Sequence, residues 1–516
     1  MNKLILRQLG WMSLGALALG ASFVYEHLFL LPWICFVPFL LALNGVSIKR
    51  AYCLGLAFGC LFFIIASYWI VGSLQKMSEI NRLQAIAVAS IYWVYCAQQY
   101  ALLASLVVWL GKCSWGSEWL SLSLFSTLLF YFFPLIFPAD LSVTQTKFLL
   151  ALQAIDITGA LGLHFLILLH NGLIYAVLKS SNKCLGSYQY FALTIMFAWF
   201  IYGTASYRHW SLEQQRWPSF NIGVVQPHSP ASIEIPSPPV GYSRAYSLEI
   251  EMSDSLAKTG ADLIVWPEAR YRGFFNEAYV YDAFKFYQYK SGVPLLIQDL
   301  HIKNNLTFNS AAMIGVENVQ QYPKRLRIPF GEYLPWVNIP LLGNFIAHIF
   351  GDFYTPIAAG EPVQAMNLKK INIQPLICFE VANAFYVADV IKAASVEKKP
   401  TQMLIVQSND SWFDTHIEPS LHLTTSQLRS IEHRLPLLHA LNNGPSSVYA
   451  VNGQLTARFP ANERAAEVIK VTYPEQIKLT WFAKFPYGFI FFMFLFTIGW
   501  VSLRILQPGY KPSISS

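Results

Sequence analysis

Charge is distributed very unevenly along this chain of 516 residues. Only 13% of the residues are charged, whereas a soluble protein carries about a quarter. Residues 1–206 and 481–504 are mainly runs of Leu, Phe, Ile, Ala and Trp, but residues 207–480 have ordinary charge density and many turn residues. Such a chain places its apolar runs in a membrane and folds its central part in water. The central part, of roughly 270 residues, is long enough for a core of its own.

The apolar runs predict eight membrane-spanning helices, each needing about 20 predominantly apolar residues. The first run follows Lys3 and Arg7 and resembles a signal sequence, but further spans come after it, so we expect it to remain as a helix. The spans are predicted near residues 5–24, 28–45, 51–72, 85–111, 118–138, 159–178, 187–206 and 481–503.

Positive charges in the short loops predict the orientation of these spans. With a cytoplasmic N-terminus, seven basic residues lie inside (Lys3, Arg7, Lys49, Arg50, Lys112, Lys179, Lys183) and three outside (Lys76, Arg82, Lys147), as the positive-inside rule requires. Residues 207–480 then form an extracytoplasmic domain between a seven-helix membrane domain (1–206) and a last helix with a short cytoplasmic tail (481–516). The net charge of +7 fits membrane anchoring and gives no reason to expect a nucleic-acid partner.

A few polar side chains lie within the predicted spans. Such residues can mark a transport path, but here they are few and mostly uncharged, so hydrogen bonding between helices is the favoured interpretation. A transporter with an appended soluble domain is less favoured, because the spans lack deep charges and paired broken helices. The polar set comprises Gln98, Gln99, His164, His170 and Asn171.

The central part alternates between β-rich runs and helical patterns, which is typical of α/β layers. Strands are predicted at 221–225, 261–266, 294–297, 310–315, 371–378, 403–407, 447–451 and 467–472, and helices at 241–258, 277–290, 383–395 and 420–441. Three strands end at polar or reactive residues, namely Glu268, Cys378 and the pair Asn409–Asp410. Open α/β folds place their chemistry at such strand ends. The sequence contains no Walker loop, GxGxxG motif or metal-spaced Cys/His cluster, so we expect neither a cofactor nor a metal.

Cys378 is the only cysteine after residue 184. In an extracytoplasmic domain a lone thiol has no partner for a structural disulfide, and an unpaired thiol is a chemical liability. It is either a small buried apolar residue or the reactive group of a site.

Glu268 and Lys324 strengthen the second interpretation. Glu268 follows an apolar strand, and Lys324 precedes a turn marked by Pro329 and Gly331. A thiolate attacks carbonyl groups; a carboxylate can take its proton, and an ammonium group can stabilise the anion that forms. A nucleophile, a base and a cation that stabilises the oxyanion are the groups that acyl transfer requires. A Cys–His pair is the rival route to a thiolate, and His422, His433 and His439 lie on one predicted helix, but ordinary amphipathic spacing would also place them there.

The trio resembles the Glu-Lys-Cys triad of the nitrilase superfamily, and the flanking spans make the whole chain similar to the apolipoprotein N-acyltransferases, the membrane-anchored members of that superfamily. The matching motifs are Val-Gln-Pro (225–227), Trp-Pro-Glu (266–268), Phe-Asn-Ser (308–310), Lys324 with Pro-Phe-Gly-Glu (329–332), Leu-Ile-Cys-Phe-Glu (376–380), Asn-Asp-Ser-Trp-Phe (409–413) and Asn-Asn-Gly (442–444).

The resemblance implies an α-β-β-α sandwich and a two-step acyl transfer. Glu268 is expected to be the general base, Cys378 the nucleophile, and Lys324 with the backbone N–H of Phe379 the oxyanion stabilisers. Glu332 is expected to orient the lysine and Glu380 to be a further acid in the site wall. Residues expected near the substrate are Gln226, Trp412 and Asn443.

The resemblance also implies the substrates and the location. The acyl donor is expected to be a phospholipid, phosphatidylethanolamine for preference, and the acceptor the α-amino group of a diacylglyceryl-cysteine lipoprotein. The protein is expected to be a monomer in the bacterial inner membrane, with its catalytic domain facing the periplasm. The run at 337–350 is unusually apolar for a loop of a soluble domain. It is either core or a hydrophobic arm at the membrane interface.

Several positions depart from the usual pattern of this family. The residues after Val-Gln (227–235) differ, Ala269 replaces a Thr or Ser, Gln298-Asp299 replaces Thr-Gly, Asp414 replaces a Gly, and Leu421 precedes His422 in place of a Gln. Three functions therefore stay open: the N-acyltransferase, a paralogous acyltransferase with another amine acceptor, and a membrane-tethered amidase whose thioester is resolved by water.

Overall fold

The structure is a computed structural model that describes residues 3–78, 80–113, 117–137, 139–180, 186–232, 234–315, 318–337, 339–341, 343–344, 356–362, 365–369 and 371–506. The chain divides into two compact units. The first contains Met1–Gly72, Asn81–Tyr207 and Phe485–Ser516, and the second contains Ser73–Ile80 and Arg208–Lys484.

Apolar helices make up the first unit. Its helices are Lys3–Val24, Phe36–Ala42, Ile48–Ala66, Arg82–Cys113, Glu118–Phe132, Leu149–Leu152, Ile155–Thr158, Ala160–Lys179 and Gly488–Leu506. Two further helices, Trp69–Ser78 and Ser187–Glu213, begin in this unit, and their residues from Ser73 and from Arg208 onward are assigned to the second unit. Among the described residues, five helices are long and apolar enough to cross a membrane: Lys3–Val24, Ile48–Ala66, Arg82–Lys112, Ala160–Lys179 and Gly488–Leu506. The predicted count of eight spans is therefore not confirmed.

The predicted span at 28–45 is not one helix. It consists of the 3₁₀ turns Glu26–Leu28 and Leu31–Trp33 followed by the helix Phe36–Ala42. Pro32 interrupts a continuous helix because it lacks a backbone N–H. Asn171 supports the break, since its Oδ1 accepts from Phe36 N at 2.8 Å and its Nδ2 donates to Pro32 O at 2.8 Å. The intramembrane asparagine therefore serves hydrogen bonding, as the sequence interpretation favoured.

The second unit contains two six-stranded sheets. The first has the order β12-β1-β2-β3-β4-β5 and the second the order β11-β10-β9-β8-β7-β6. In each sheet the three central strands are parallel (β1, β2 and β3; β7, β8 and β9), and their outer neighbours are antiparallel. The strands are β1 Ser219–Gln226, β2 Leu263–Val265, β3 Leu295–Lys303, β4 Leu306–Ile314, β5 Gln320–Pro323, β6 Met366–Leu368, β7 Ile371–Ile377, β8 Met403–Ser408, β9 Leu437–Leu441, β10 Ser447–Tyr449, β11 Leu455–Arg458 and β12 Ala465–Thr472.

The two sheets pack face to face, with helices on their outer surfaces. Side chains alternate between the faces of a strand, and β8 shows the result: Met403 and Ile405 join the core between the sheets, while Leu404 and Val406 face the outer helix layer. The outer helices are Leu248–Lys258 and Ala278–Ser291 on the first sheet and Ala384–Val396 and Ile417–His433 on the second. This is the expected α-β-β-α sandwich.

One predicted helix of this unit extends too far. The predicted helix at 420–441 ends at His433, and the chain continues into β9 after Arg434 adopts a left-handed conformation with φ of 53°. Pro436 cannot continue a helix. His439 therefore lies on a strand of the second sheet, apart from the helix that carries His422 and His433.

Candidate active site

Cys378 directly follows β7, the first of the three parallel strands of the second sheet, and has a backbone φ of 50°. A positive φ is uncommon for a residue other than glycine, and such backbone strain concentrates at functional sites. The residue opens the 3₁₀ turn Cys378–Ala382 and is half-buried. The chain thus turns sharply where the thiol is presented.

Lys324 is anchored at the end of β5. It is almost fully buried, and its Nζ donates to Glu332 Oε1 at 2.8 Å. The other oxygen of Glu332 accepts from Ile328 N at 2.8 Å, so this carboxylate holds both the lysine and the turn that follows it. Glu332 therefore contacts Lys324, the residue that the resemblance expects it to orient.

Glu268 lies in the loop after β2 and is held by Asn309 of β4. The Nδ2 of Asn309 donates to Glu268 Oε1 at 2.7 Å and lies 3.4 Å from Glu332 Oε1. Gln298 Nε2 donates to Asn309 Oδ1 at 2.7 Å, which fixes the orientation of the Asn309 amide. One asparagine therefore connects Glu268 to the carboxylate that binds Lys324.

The charges of these residues act on one another. Burial and the charge of Glu268 raise the pKa of the Cys378 thiol well above its usual value, while Lys324 lowers it. Burial also raises the pKa of Glu268, and Lys324 opposes that shift. Although burial opposes its charge, Glu332, Cys378 and Glu268 together raise the pKa of Lys324. Glu268 and Lys324 thus lie close enough to Cys378 for their charges to shift the pKa of its thiol in opposite directions.

Glu380 is fully buried behind this site. Its Oε1 accepts from Arg325 N at 2.8 Å and from Tyr386 Oη at 3.1 Å, and its Oε2 accepts from Ile377 N at 2.9 Å and from Tyr322 Oη at 2.9 Å. Its oxygens are used by donors inside the protein. Glu380 therefore joins the turn after Lys324 to the residue before Cys378 instead of lining the site wall as predicted.

The other predicted residues have different surroundings. Gln226 is fully buried, and its amide is engaged with Pro460 O, Glu463 O and Ser446 N at 2.7, 2.8 and 3.0 Å. Asn443 is also buried, and its Oδ1 has no hydrogen-bond partner within the described part of the chain. Trp412 and Phe379 are half-buried, on the loop after β8 and directly after Cys378.

A buried polar cluster adjoins the cysteine from the side of β8. Asp410 accepts from Ser408 Oγ at 2.9 Å and lies 3.2 Å from His422 Nδ1, while His422 Nε2 lies 3.2 Å from the carbonyl oxygen of Cys378. One donor atom each from Asp410, Glu418 and His422 lies within 4.8 Å of the others, the spacing of a possible metal site. Of the three histidines considered as rivals to Glu268, His422 alone has a hydrogen bond to Cys378 among the described residues.

Sequence reasoning overlooked the roles of several residues at this site. The sequence indicated Asn309 only as part of the motif Phe-Asn-Ser (308–310), and it indicated Ser408 and Asp410 only as residues at the end of a predicted strand. The common signal is a polar residue in or directly after a buried strand, where its side chain must find a partner inside the protein.

Two departures from the family pattern also find their partners here. Gln298 Oε1 accepts from Ala269 N at 2.7 Å, so the residue beside Glu268 is fixed by an amide side chain. Asp299 accepts from Arg272 N and Phe274 N, each at 2.7 Å, and so holds the loop that follows Glu268.

Comparisons with known proteins agree with this architecture. A family model described as the apolipoprotein N-acyltransferase N-terminal domain matches residues 15–173. The chain is 24% identical over 486 residues to the apolipoprotein N-acyltransferase of Geobacter metallireducens, covering 88% of this chain and 87% of that protein. It is 26% identical over 504 residues to the enzyme of the same name from Shewanella oneidensis, covering 91% of each.

Among solved structures, an amidase from Nesterenkonia sp. aligns with a TM-score of 0.36 and 14% identity over 49% of this chain and 90% of that chain. The names of the curated relatives support an acyltransferase, and the structure shows that the chain also carries long apolar helices. The chain is similar along most of its length to proteins named apolipoprotein N-acyltransferase, and the resemblance predicted from its motifs is confirmed.

Proposed function

We propose that this protein transfers a fatty acyl chain from a phospholipid, through a thioester on Cys378, to the α-amino group of a diacylglyceryl-cysteine lipoprotein. The observation that carries the proposal is that hydrogen bonds through Asn309 and Glu332 link Glu268 to Lys324, and that both of these charges act on the thiol of Cys378. The names of the relatives supply the lipoprotein acceptor. Phosphatidylethanolamine is the donor that the proposal favours.

In the first step, Sγ of Cys378 attacks the ester carbonyl of the phospholipid. Because the thiol is protonated at rest, its proton passes to Glu268 as the S–C bond forms. The ammonium group of Lys324 and the backbone N–H of Phe379 stabilise the tetrahedral oxyanion. When the adduct collapses, the C–O bond of the ester breaks, Glu268 returns the proton to the leaving alkoxide, and a lysophospholipid departs.

In the second step, the α-amino group of the lipoprotein attacks the thioester. Glu268 accepts a proton from the amine, the C–S bond breaks, and the thiolate of Cys378 is protonated again. An amide product leaves and the enzyme returns to its starting state. A thioester survives to this step only if water is excluded from the site.

Exposed apolar residues near the site support a lipid donor. Of the apolar run at 337–350, only 337, 339–341 and 343–344 are described, and Val337, Ile339 and Leu341 are 44%, 46% and 84% exposed. Trp336, directly before them, is 58% exposed. Apolar side chains that face outward beside an aromatic residue suit a membrane interface, which favours the arm over the core interpretation.

The orientation belongs to the same proposal. We place 207–480 on the periplasmic side of the inner membrane, between the domains 1–206 and 481–516, because seven basic residues against three favour a cytoplasmic N-terminus. A monomer suffices, since the triad comes from one chain. Alkaline phosphatase fused after residue 480 is expected to be active, because it folds only outside the cytoplasm; an inactive fusion contradicts this orientation.

Intact-protein mass spectrometry tests the reaction. The purified protein is incubated with phosphatidylethanolamine vesicles without an acceptor, and a fatty-acyl mass increment is expected on Cys378 and absent in Cys378→Ala. A diacylglyceryl-cysteine peptide is then expected to remove the acyl group and gain its mass. An adduct that this peptide cannot discharge identifies a paralogous acyltransferase. Absence of any adduct on a folded, alkylatable protein favours the tethered amidase, which is tested with water-soluble amides.

A further inference from the structure

His422 makes a direct contact with the backbone of Cys378. Its Nε2 lies 3.2 Å from the Cys378 carbonyl oxygen, and its Nδ1 lies 3.2 Å from each carboxylate oxygen of Asp410. Both His422 and Asp410 are buried, with 7% and 0% of their surface exposed. The imidazole therefore spans the distance between a fixed carboxylate and the peptide group that follows the thiol.

The partners of the ring determine its protons. A carbonyl oxygen and a carboxylate oxygen are both acceptors, so each ring nitrogen of His422 donates. Although burial opposes the charge, Asp410 raises the pKa of His422 to about 9 and is itself held below its usual pKa by the imidazolium. Of the other groups that face this pair, burial keeps Glu418 and His439 neutral by raising the pKa of the first and lowering that of the second.

The contact between His422 and the Cys378 carbonyl also fixes the direction of the Phe379 N–H. The carbonyl of Cys378 and the N–H of Phe379 belong to one peptide unit, which is planar and trans, so they point in opposite directions. A donor that holds the carbonyl oxygen therefore also sets the direction of the N–H. It also polarises the peptide, which makes that N–H a stronger donor. The positive φ of Cys378 makes such an anchor necessary, because a strained backbone persists only where its surroundings enforce it.

We propose that His422, held by Asp410, is a positioning residue that fixes the Cys378–Phe379 peptide and thereby aims the Phe379 N–H at the tetrahedral oxyanion. This rests on the proposed acyl transfer. His422 exchanges no proton with the substrate, and Glu268 remains the base.

The test compares two reactions of the same thiol. Acylation passes through an oxyanion, but alkylation by iodoacetamide does not. His422→Asn, which is too short to reach the Cys378 carbonyl, is expected to slow acylation by about 10²-fold, the usual effect of losing an oxyanion donor. The alkylation rate and KM of the folded variant are expected to change little, whereas its melting temperature is expected to fall because buried Asp410 loses its charged partner. His422→Gln, which can place an amide N–H near the position of Nε2, is expected to recover much of the acylation rate.

His433→Gln is the matched control, since His433 is a buried histidine of the same helix with no hydrogen-bond partner among the described residues. It is expected to acylate at the wild-type rate. Acylation by His422→Asn within threefold of wild type overturns the proposal, and so does an equal loss of acylation and alkylation. If His422→Asn does not fold, Asp410→Asn serves in its place, because the ring then loses the anion that keeps both nitrogens protonated.

Two further assays distinguish a failure of the proposed acyl transfer from a failure of the proposed role of His422. All variants are also assayed with a p-nitrophenyl acyl ester, which forms the same kind of adduct whatever the natural donor is. If the wild type reacts with this ester but not with phosphatidylethanolamine, the proposed function is wrong. The role of His422 is then still tested by comparing the variants with the wild type in the ester assay. A rate that falls with EDTA and returns with Zn²⁺ assigns the Asp410, Glu418 and His422 cluster to a metal and overturns the positioning role.

Discussion

The Asn309 side-chain amide donates to Glu268 Oε1 at 2.7 Å, and this hydrogen bond holds the carboxylate of the proposed base in place. The same nitrogen lies 3.4 Å from Glu332, the partner of Lys324. Two carboxylates so close to one another repel, which raises the pKa of Glu268 beyond the effect of burial alone. The hydrogen bond and Lys324 both favour the charged form and keep Glu268 available as a base.

Glu268→Gln is expected to change acylation and alkylation in opposite directions. Acylation loses its general base and falls by about 10²–10⁴-fold. Alkylation by iodoacetamide near neutral pH becomes faster, because the charge of Glu268 raises the pKa of Cys378 and the amide lacks that charge. The two rates are measured by mass spectrometry across pH 6–9. A parallel fall in both rates contradicts the assignment of Glu268 as a base that acts after the substrate has bound.

Lys324→Met is expected to destabilise the protein as well as inactivate it. It leaves Glu332 without its cation in a buried site, and breaking a buried ion pair costs about 3–5 kcal/mol. Alkylation of Cys378 is expected to slow, since Lys324 lowers the pKa of that thiol. Thermal unfolding in detergent measures the stability.

The double variant Lys324→Met/Glu332→Gln is the control for this experiment. It removes the unpaired charge and is expected to recover most of the melting temperature without recovering acylation. Recovery of acylation would show that Lys324 acts only through stability.

The fold was largely predictable where the sequence pattern is local. Each of the eight predicted strands overlaps an observed one, because runs such as 403–407 are apolar on both faces and suit only a buried strand. The strands β5, β6 and β11 were missed because they are short edge strands with little apolar signal. The strand β9 was missed because its leucines continue the apolar pattern of the preceding helix, and only Pro436 marks the change.

The site was predictable in its chemical groups but less so in their contacts. Glu268, Lys324 and Cys378 each lie in a recognisable motif, so their types and order could be identified. The family resemblance predicted that Glu380 is a further acid in the site wall. Its true surroundings depend on the loop after β5, which is distant in sequence, and no local pattern specifies such a contact.

Glu380→Gln is expected to separate the two loops that present Lys324 and Cys378. A glutamine replaces one acceptor oxygen with a donor, so at least one of the N–H and O–H groups that meet Glu380 loses its partner. A buried group left unpaired costs about 1–3 kcal/mol. Both the melting temperature and the acylation rate are expected to fall. Tyr386→Phe is the matched control, since it removes one donor and leaves the carboxylate intact; a larger loss in this variant than in Glu380→Gln contradicts the role.

The protonated state of His422 makes stability depend on pH. Its pKa is about 9 in the folded protein and about 6.5 in an unfolded chain. The folded state therefore binds the proton more tightly, so the stabilisation is fully present below pH ~6.5 and is lost as the pH rises through ~9. A difference of this size corresponds to about 3 kcal/mol. The melting temperature in detergent is expected to fall between pH 7 and 9 in the wild type and to change much less in His422→Asn; equal slopes in the two proteins would show that His422 is neutral in the fold.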